Sequence, residues 1–394
     1  MNVRGALFGG IMACVVACGQ RGGGGLPFAA APPTDGAGYA DAQQKIAVRG
    51  IGRDPRIDQL VAAFMEQNAV PNAELAVSKG GTVIFSHAYT YRGLAKSTTT
   101  RATIIRLASL TKAWTSAALY DLLTAKKIRP NEKVFTYLGI TKPLPRGARV
   151  DPRVYDITIE DMIQHKSGWD DAISHYDPTF SMRKTAKALG LTRPITQVEY
   201  VRYQLHQPLQ QKPGTTYAYC NFCYTVLGMV VAKASGMSYQ EYVTNVLDKE
   251  LGTDNVQISP TVGARLPDEV AHYYNPYFGG SAVYITSRKL WGWPYSGDGL
   301  INEVAEGAGG LATSADSMLA LMNRYIIWGV GTPPPRGQSW AREGEMPGAN
   351  TFAEQLSNGV NFSFLVNTNA YAYGGYRYAF VELTNAIANL LSES

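Results

Sequence analysis

Apolar positions recur with regular spacing along most of the chain from about residue 54 onward. Residues 57–64 carry apolar side chains at helical spacing, so this segment predicts a helix. Two short alternating runs follow, at 73–78 and 82–88, with Lys79-Gly80-Gly81 between them. Glycines supply the backbone conformations of tight turns, and the two runs therefore predict a β-hairpin.

The middle of the chain, from about 119 to 304, has mostly helical spacing. The clearest helical patterns are 159–165, 197–206, 224–234 and 239–247. Strand patterns return at 352–356 and 362–367, and a final helix is predicted at 378–391. We expect an α+β fold, in which an antiparallel sheet flanked by helices (54–118 plus 305–394) receives an inserted all-helical domain (119–304).

The first residues have the pattern of a secretion signal. Arg4 precedes a short apolar stretch, 6–16, which is too short to span a bilayer. The run from Val15 to Gly19 resembles the lipobox of bacterial lipoproteins, with Cys18 as the lipidated residue. We therefore expect residues 1–18 to be a lipoprotein signal peptide; an ordinary signal peptide cut nearby is the alternative.

Residues 19–53 are rich in Gly, Ala and Pro and predict a flexible tether. The expected protein is exported, periplasmic or at the cell surface, and contacts the membrane only through the lipid on Cys18. No other stretch of the sequence is long and apolar enough to cross a membrane.

Composition indicates a globular chain, because 45% of the 394 residues are hydrophobic and 17% are charged. The net charge of +5 is spread without a basic cluster, so we expect no nucleic-acid partner. Beyond the signal sequence only Cys220 and Cys223 remain, and a single C-x-x-C is a poor zinc site. A local disulfide or two packed thiols is expected there, and neither a metal nor a cofactor is implied.

The main chemical candidate is the pair formed by Ser109 and Lys112 at the start of a predicted helix. Residues three apart on a helix share one face, with Cβ atoms about 5–6 Å apart. The amine can therefore reach the hydroxyl, which is a weak nucleophile without such help. The partial positive charge of a helix N-terminus also favours an alkoxide. Taken alone, the motif is a weak signal and is more often an ordinary solvent-facing pair on a helix.

A second candidate is Tyr219 with Asn221, in a segment that begins at Pro213. Alternate side chains of an extended segment point to the same side, so both can face one cleft. Asn221 offers a donor and an acceptor to a substrate. An ammonium on Lys112 would favour the phenolate of Tyr219, which is otherwise a poor base.

Three further phrases stand in order around these motifs. They are an acidic-flanked helix before His165-Lys166-Ser167-Gly168, the run 236–242, and a Gly-Gly turn that leads into an Asp-capped helix at 306–316. Together, from about residue 54 onward, they resemble the β-lactamase-like serine hydrolases, namely class C β-lactamases, D-alanyl-D-alanine peptidases and related carboxylesterases. The resemblance implies a β-lactamase/transpeptidase-like fold.

The resemblance also implies roles for the candidate residues. Ser109 would be acylated, Lys112 would activate it, and Tyr219 would be the base that passes the proton to the leaving group. Asn221 would position the substrate. The oxyanion hole would combine the backbone N–H of Ser109 with one from the strand that carries a third motif.

That third motif departs from the family pattern of Lys or His, a small residue and Gly. The best match is the segment 340–348, with Arg342 at the first position and Glu345 supplying the N–H. Arginine cannot relay a proton, but it binds carboxylates bidentately. Arg342 therefore indicates an acidic substrate, such as a peptide C-terminus; a surface ion pair with Glu343 or Glu345 is the alternative.

We accordingly expect a serine hydrolase that forms an acyl-enzyme on amide or peptide bonds. Its substrate would be a small molecule or a linear or D-residue-containing peptide, as for the family's peptidases and its linear-microcystin-cleaving members. A carboxylesterase, a β-lactamase and a non-catalytic penicillin-binding-like module are the alternatives. The histidines at 165, 175, 206 and 272 are expected to be structural, and the aromatic residues of 273–295 to line the substrate mouth, unless they only pack a long loop.

Overall fold

The computed structural model describes residues 45–292, 300–369 and 376–393. The predicted signal peptide, most of the predicted tether, and Trp293 and Tyr295 of the aromatic run lie outside these ranges. Within them, no helix combines the length and the apolar character that a membrane span requires.

Strands form one large sheet, one small sheet and a hairpin. In chain order they are β1 Ile46–Ile51, β2 Asn72–Lys79, β3 Thr82–Tyr91, β4 Ile105–Arg106, β5 Gln257–Ile258, β6 Phe278–Gly280, β7 Leu290–Gly292, β8 Leu311–Thr313, β9 Trp340–Met346, β10 Ala349–Gln355 and β11 Val360–Val366. The six-stranded sheet has the order β1-β3-β2-β11-β10-β9, and every pair in it is antiparallel. The small sheet has the order β4-β8-β5, and β6 pairs with β7.

Helices cover both faces of the large sheet and fill the middle of the chain. Those described are Pro55–Gln67, Thr111–Thr124, Val134–Leu138, Ile159–Ile163, Asp171–Ser174, Met182–Ala188, Gln197–Gln204, Asn221–Ser235, Tyr239–Tyr242, Asp248–Glu250, Glu306–Gly309, Ala315–Met322 and Tyr376–Ser392. Short 3₁₀ turns lie at Ala108–Leu110, Pro152–Asp156 and Thr179–Ser181, and a π-helical turn at Val243–Leu247.

One face of the large sheet packs against the first and last helices. Asp54 caps the first helix by accepting a hydrogen bond from the backbone N–H of Arg56, which explains where that helix begins. Rings from both helices and from β11 meet in this core, where Phe64 lies 6.1 Å and Phe380 5.6 Å from Phe364 between ring centroids. The predicted helix at 57–64 and the predicted C-terminal helix are confirmed.

The other face of the sheet belongs to a larger core that continues into the middle of the chain. Ala76 and Leu365 of the sheet share this core with the helix Thr111–Thr124 and with the helix Asn221–Ser235. The helix Thr111–Thr124 is buried along most of its length. The segment that carries the Ser-x-x-Lys motif is therefore fixed by packing from both parts of the fold.

Several predicted boundaries are wrong in detail. The tether predicted to end at 53 stops earlier, because residues 46–51 form the edge strand β1 and bury Ile46 against the sheet. The domain boundary predicted at 118 falls inside the helix Thr111–Thr124. The segment 119–304 is not all-helical, since it also supplies β5, which pairs with β8. An edge strand with one buried residue and a two-residue strand carry too little periodicity to be recognised.

The predicted hairpin at 73–88 is confirmed as β2 and β3, and the predicted C-terminal strands as β10 and β11. The helix predicted to follow the Gly-Gly turn of 306–316 begins at Ala315, and its cap is Ser314 instead of an aspartate. Asp316 instead pairs with Arg101.

Two glycines allow the helices Asn221–Ser235 and Glu306–Gly309 to touch. A Cβ atom on Gly307 would lie 2.6 Å from the carbonyl oxygen of Tyr224 and 3.0 Å from the Cα of Gly228. We expect Gly307→Ala to lower the free energy of unfolding by about 1–3 kcal/mol, the usual cost of overpacking, as measured by urea denaturation.

The control is Gly331→Ala, because a Cβ atom there would lie 3.7 Å from its nearest neighbour, Ile326, at an ordinary contact distance. We expect this control to change stability by less than about 0.5 kcal/mol. Equal stability of both variants would contradict the tight helix contact.

Candidate active site

Ser109 lies where a 3₁₀ turn meets an α-helix. The turn Ala108–Leu110 runs directly into the helix Thr111–Thr124, so Ser109 and Lys112 lie on either side of the junction. Ala108 has φ of 48°, which is uncommon for a residue other than glycine. Such a conformation persists only where the surroundings hold it, and it is frequent at functional sites.

Strand β9 and its neighbour β10 hold this turn from one side. A Cβ atom on Gly344 would lie 2.4 Å from the carbonyl oxygen of Leu107, so only glycine permits this approach of β9. The same carbonyl oxygen accepts a hydrogen bond of 2.8 Å from the hydroxyl of Thr351 on β10. The backbone around Ser109 is thus fixed against the large sheet.

The structure brings Ser109, Lys112 and Tyr219 together. Lys112 Nζ lies 2.9 Å from Ser109 Oγ, and the Tyr219 hydroxyl donates a hydrogen bond of 2.8 Å to the same oxygen. Lys112 is completely buried, whereas Tyr219 is 37% exposed. The serine oxygen therefore has an amine on one side and a phenol on the other.

Two further oxygens surround the amine. Lys112 Nζ donates to the side-chain oxygen of Asn221 and to the carbonyl oxygen of Ala308, each at 2.8 Å. Asn221 Nδ2 donates to Asp177 at 2.8 Å, and a carboxylate only accepts, so this contact fixes the orientation of the amide. Asn221 keeps one N–H and one oxygen lone pair for a substrate.

This environment favours the neutral form of Lys112. Burial lowers the pKa of Lys112 well below 10.5, the charge of Arg342 lowers it further, and Asp177 opposes the shift. A neutral amine has two N–H groups, and the oxygens of Asn221 and Ala308 accept both. Its lone pair then faces Ser109 Oγ, which is the arrangement required of a general base.

The surroundings of Tyr219 determine its protonation state. Burial raises its pKa above 10, while the charge of Arg342 and the hydrogen bond with Ser109 oppose the shift. A phenolate would be favoured by an ammonium on Lys112, and burial disfavours that ammonium. These effects therefore favour the neutral phenol in the resting site.

Arg342 lies in the interior, with only 2% of its surface exposed. Its Nε donates to the carbonyl oxygen of Ile327 at 2.9 Å, and its guanidinium carbon lies 4.2 Å from the centroid of the Trp328 ring. Arg342 does not line the cleft at Ser109 described below. The carboxylate contact that the sequence suggested receives no support from this position.

The alternative surface ion pair of Arg342 is wrong. Along β9 burial alternates, and Arg342 and Gly344 are buried whereas Glu343 and Glu345 are partly exposed. Side chains of a strand alternate between its two faces, so the glutamates point away from the guanidinium. The alternation of side chains along a strand predicts from the sequence alone that Arg342 and the two glutamates lie on opposite faces of β9.

A small cleft, partly open to solvent, begins at Ser109. Phe180, Leu300 and Met346 provide apolar lining, and Asn221 and Glu345 also border it. The residue predicted to supply the second oxyanion-hole N–H thus lies on the same cleft as the nucleophile.

The described members of the aromatic run differ in exposure, and Tyr274 and Trp291 are partly buried. Tyr273 is completely buried and donates a hydrogen bond to Glu269, so it packs the interior and does not line a mouth. Tyr277, Phe278 and Tyr284 are exposed.

Sequence reasoning missed Asp177 and the carbonyl oxygen of Ala308. Asp177 stands in an irregular loop with no motif around it, whereas Ala308 belongs to a glycine-rich phrase that had been recognised only as a turn. Cys220 and Cys223 form a disulfide, which decides between the two alternatives for this pair. Cys220 is also the extended N-cap residue that separates Tyr219 from the first turn of the helix at Asn221.

Fold and site together are those of the β-lactamase-fold serine hydrolase family. The family model named Beta-lactamase matches residues 57–388, and the chain belongs to this family. Among curated relatives, Protein flp from Staphylococcus aureus (strain COL) is 26% identical over 207 residues, 52% of this chain and 38% of the relative. The chain spans less than half the length of the first curated relatives that it matches.

Solved structures with this fold include an amidase and a further hydrolase. D-amino acid amidase from Ochrobactrum anthropi SV3 superposes with a TM-score of 0.60 at 15% identity, covering 85% of this chain and 99% of the amidase. EstCE1, a hydrolase with promiscuous acyltransferase activity, gives a TM-score of 0.60 at 17% identity, with 85% and 98% covered. At these identities the similarity establishes the fold.

Charge substitutions around Lys112 should shift the pH profile of Ser109 in opposite directions. Arg342→Met removes a positive charge that disfavours the ammonium, so the pKa of Lys112 rises and the neutral base forms only at higher pH. Asp177→Asn removes a negative charge and shifts the profile to lower pH, while its amide oxygen still accepts from Asn221.

We expect each midpoint to move by about 1 pH unit. The measurement is the second-order rate of labelling by a fluorophosphonate between about pH 5 and about pH 10. Shifts in the same direction would show that Lys112 is not the titrating base.

Proposed function

We propose that this protein is a serine amidase or peptidase that forms an acyl-enzyme on Ser109. The observation that carries the proposal is the placement of Ser109 Oγ at a cleft, 2.9 Å from Lys112 Nζ and 2.8 Å from the Tyr219 hydroxyl. A nucleophile with an adjacent base and a further polar group is the arrangement that covalent catalysis requires.

In the acylation step, neutral Lys112 takes the proton of Ser109 as its oxygen attacks the substrate carbonyl carbon. The Tyr219 hydroxyl gives its proton to the leaving nitrogen, and the proton on Lys112 restores the phenol. The C–N bond breaks, and the proton of the serine has in effect moved to the amine. Water then attacks the acyl carbon, and its proton returns to Ser109 Oγ.

Charge on the carbonyl oxygen would be stabilised by the backbone N–H groups of Ser109 and Glu345. Support comes from the contact of Gly344 with the turn before Ser109, which holds the two backbones side by side at the cleft. One donor of this kind contributes about 2.7–4 kcal/mol to the transition state.

The protonated Tyr219 favours amides as substrates. An amine leaves readily only after it has been protonated, and a phenol already hydrogen-bonded to Ser109 Oγ stands where that proton is needed. The similarity of the fold to D-amino acid amidase supports testing D-residue amides first. The small, partly apolar cleft fits a short substrate.

A carboxylesterase is the second candidate, and the burial of Arg342 favours it. Peptidase activity was inferred from carboxylate recognition at Arg342, and this guanidinium lies in the interior. The apolar lining of the cleft and the fold of EstCE1 are compatible with an ester substrate.

The first test is covalent labelling. We expect a fluorophosphonate to label the protein and Ser109→Ala to abolish the labelling, because no other group replaces the nucleophile. Ser174→Ala, which removes an exposed serine, is the control and should label like the unsubstituted protein. No labelling by the fluorophosphonate or by a fluorescent penicillin, together with no hydrolysis of nitrophenyl esters, would indicate a non-catalytic peptide-recognition module.

The second test compares bond types. D- and L-phenylalanine amide, short D- and L-peptides, nitrophenyl esters and a chromogenic cephalosporin are assayed side by side. We expect amide turnover that is lost in Ser109→Ala and falls by about 100-fold or more in Tyr219→Phe. Turnover of esters without any amide would establish the carboxylesterase, and turnover of the cephalosporin alone would establish a β-lactamase.

A further inference from the structure

His165 contacts the segment that carries Tyr219 through both its backbone and its side chain. Its carbonyl oxygen accepts from the N–H of Ala218 at 2.8 Å, and its Nδ1 accepts from the N–H of Cys220 at 3.0 Å. The residues before and after Tyr219 are therefore both bound to one histidine.

The ring of His165 also supports the ring of Tyr219. The two rings stack with centroids 4.8 Å apart and an angle of 21° between their planes. On its other side His165 stacks on Tyr224, at 5.1 Å and 29°. Tyr224 is buried, whereas Tyr219 is 37% exposed, so the histidine connects a partly exposed ring to one fixed in the core.

The state of His165 is defined by its contacts. Because Nδ1 accepts a backbone N–H, the neutral ring carries its proton on Nε2. Burial and the charge of Arg342 lower the pKa of His165 well below 6.5, so the ring is held neutral. Its backbone has φ of 56°, a conformation that few residues other than glycine adopt and that is kept where the surroundings require it.

We propose that His165 is a positioning residue that holds the Tyr219 hydroxyl in place for proton transfer to the leaving group. This inference rests on the proposed role of Tyr219 as the proton donor. Stacking restricts the tilt of the phenol ring. The hydrogen bonds to the backbone of Ala218 and Cys220 fix the chain segment from which the Tyr219 side chain extends. A displacement of about 1 Å in a reacting group can cost about 100-fold in rate, so this support matters for catalysis.

The test uses the ratio of amide to nitrophenyl ester turnover. A nitrophenolate leaves without a proton, whereas an amine needs one, so loss of Tyr219 positioning lowers the kcat for amides selectively. In His165→Asn the side-chain oxygen replaces Nδ1 as acceptor for Cys220, and asparagine tolerates the positive φ. We expect this variant to lower the ratio by about tenfold while the ester kcat changes little, and the space left by the buried ring lowers the melting temperature.

A second variant isolates the stacking. His165→Phe keeps an aromatic ring against Tyr219 but removes the acceptor, and we expect its ratio to stay within about threefold of the unsubstituted protein even if its stability falls. His206→Asn is the control, because His206 packs against Tyr203, at 4.6 Å, outside the site. It should leave the ratio unchanged.

A double-mutant cycle separates positioning from a general structural effect. In a Tyr219→Phe background the donor is absent, so His165→Asn should not lower the ratio further. An equal fall in both backgrounds, or no fall in the single variant, would overturn the inference. A Tyr219→Phe variant with an unchanged ratio would instead overturn the proposed role of Tyr219 itself.

Discussion

The buried amine of Lys112 is the constraint on which the site depends. Three oxygens surround it, and they come from Ser109, Asn221 and Ala308, which lie in distant parts of the sequence. An ammonium in this position would carry a desolvation cost of several kcal/mol. The neutral amine avoids that cost. Its two N–H groups need two acceptors, and its lone pair accepts from one hydroxyl. The positions of the three segments and the protonation state of the lysine are therefore linked.

The core explains how three separate segments are held at hydrogen-bonding distance. The helix Thr111–Thr124 carries Lys112, and it shares one continuous core with the helix Asn221–Ser235 and the short helix Glu306–Gly309. Thr115, one turn after Lys112, donates to the carbonyl oxygen of Gly307 at 2.7 Å. The amine, the amide and the carbonyl are thus positioned by helices, which hold a site more rigidly than loops do.

Local spacing in the sequence predicted the parts of the site that depend on one element. Ser-x-x-Lys predicted the contact of Ser109 with Lys112 because both residues belong to one helical junction. Tyr-x-Asn predicted the second pair because Cys220, the residue between Tyr219 and Asn221, is extended. The role of Asp177 and the strand β1 were not predicted. Each of these depends on what a distant element places beside the residue, and a single segment does not contain that information.

The protonation state of Tyr219 likewise depends on distant residues. A phenolate is expected only beside an ammonium on Lys112, and burial and Arg342 both act against that charge. The guanidinium of Arg342 has no acidic partner among the described residues, and its positive potential reaches both Lys112 and Tyr219. It favours the deprotonated form of each. The buried guanidinium of Arg342 therefore acts in the direction that general-base chemistry requires, from a position that does not line the cleft.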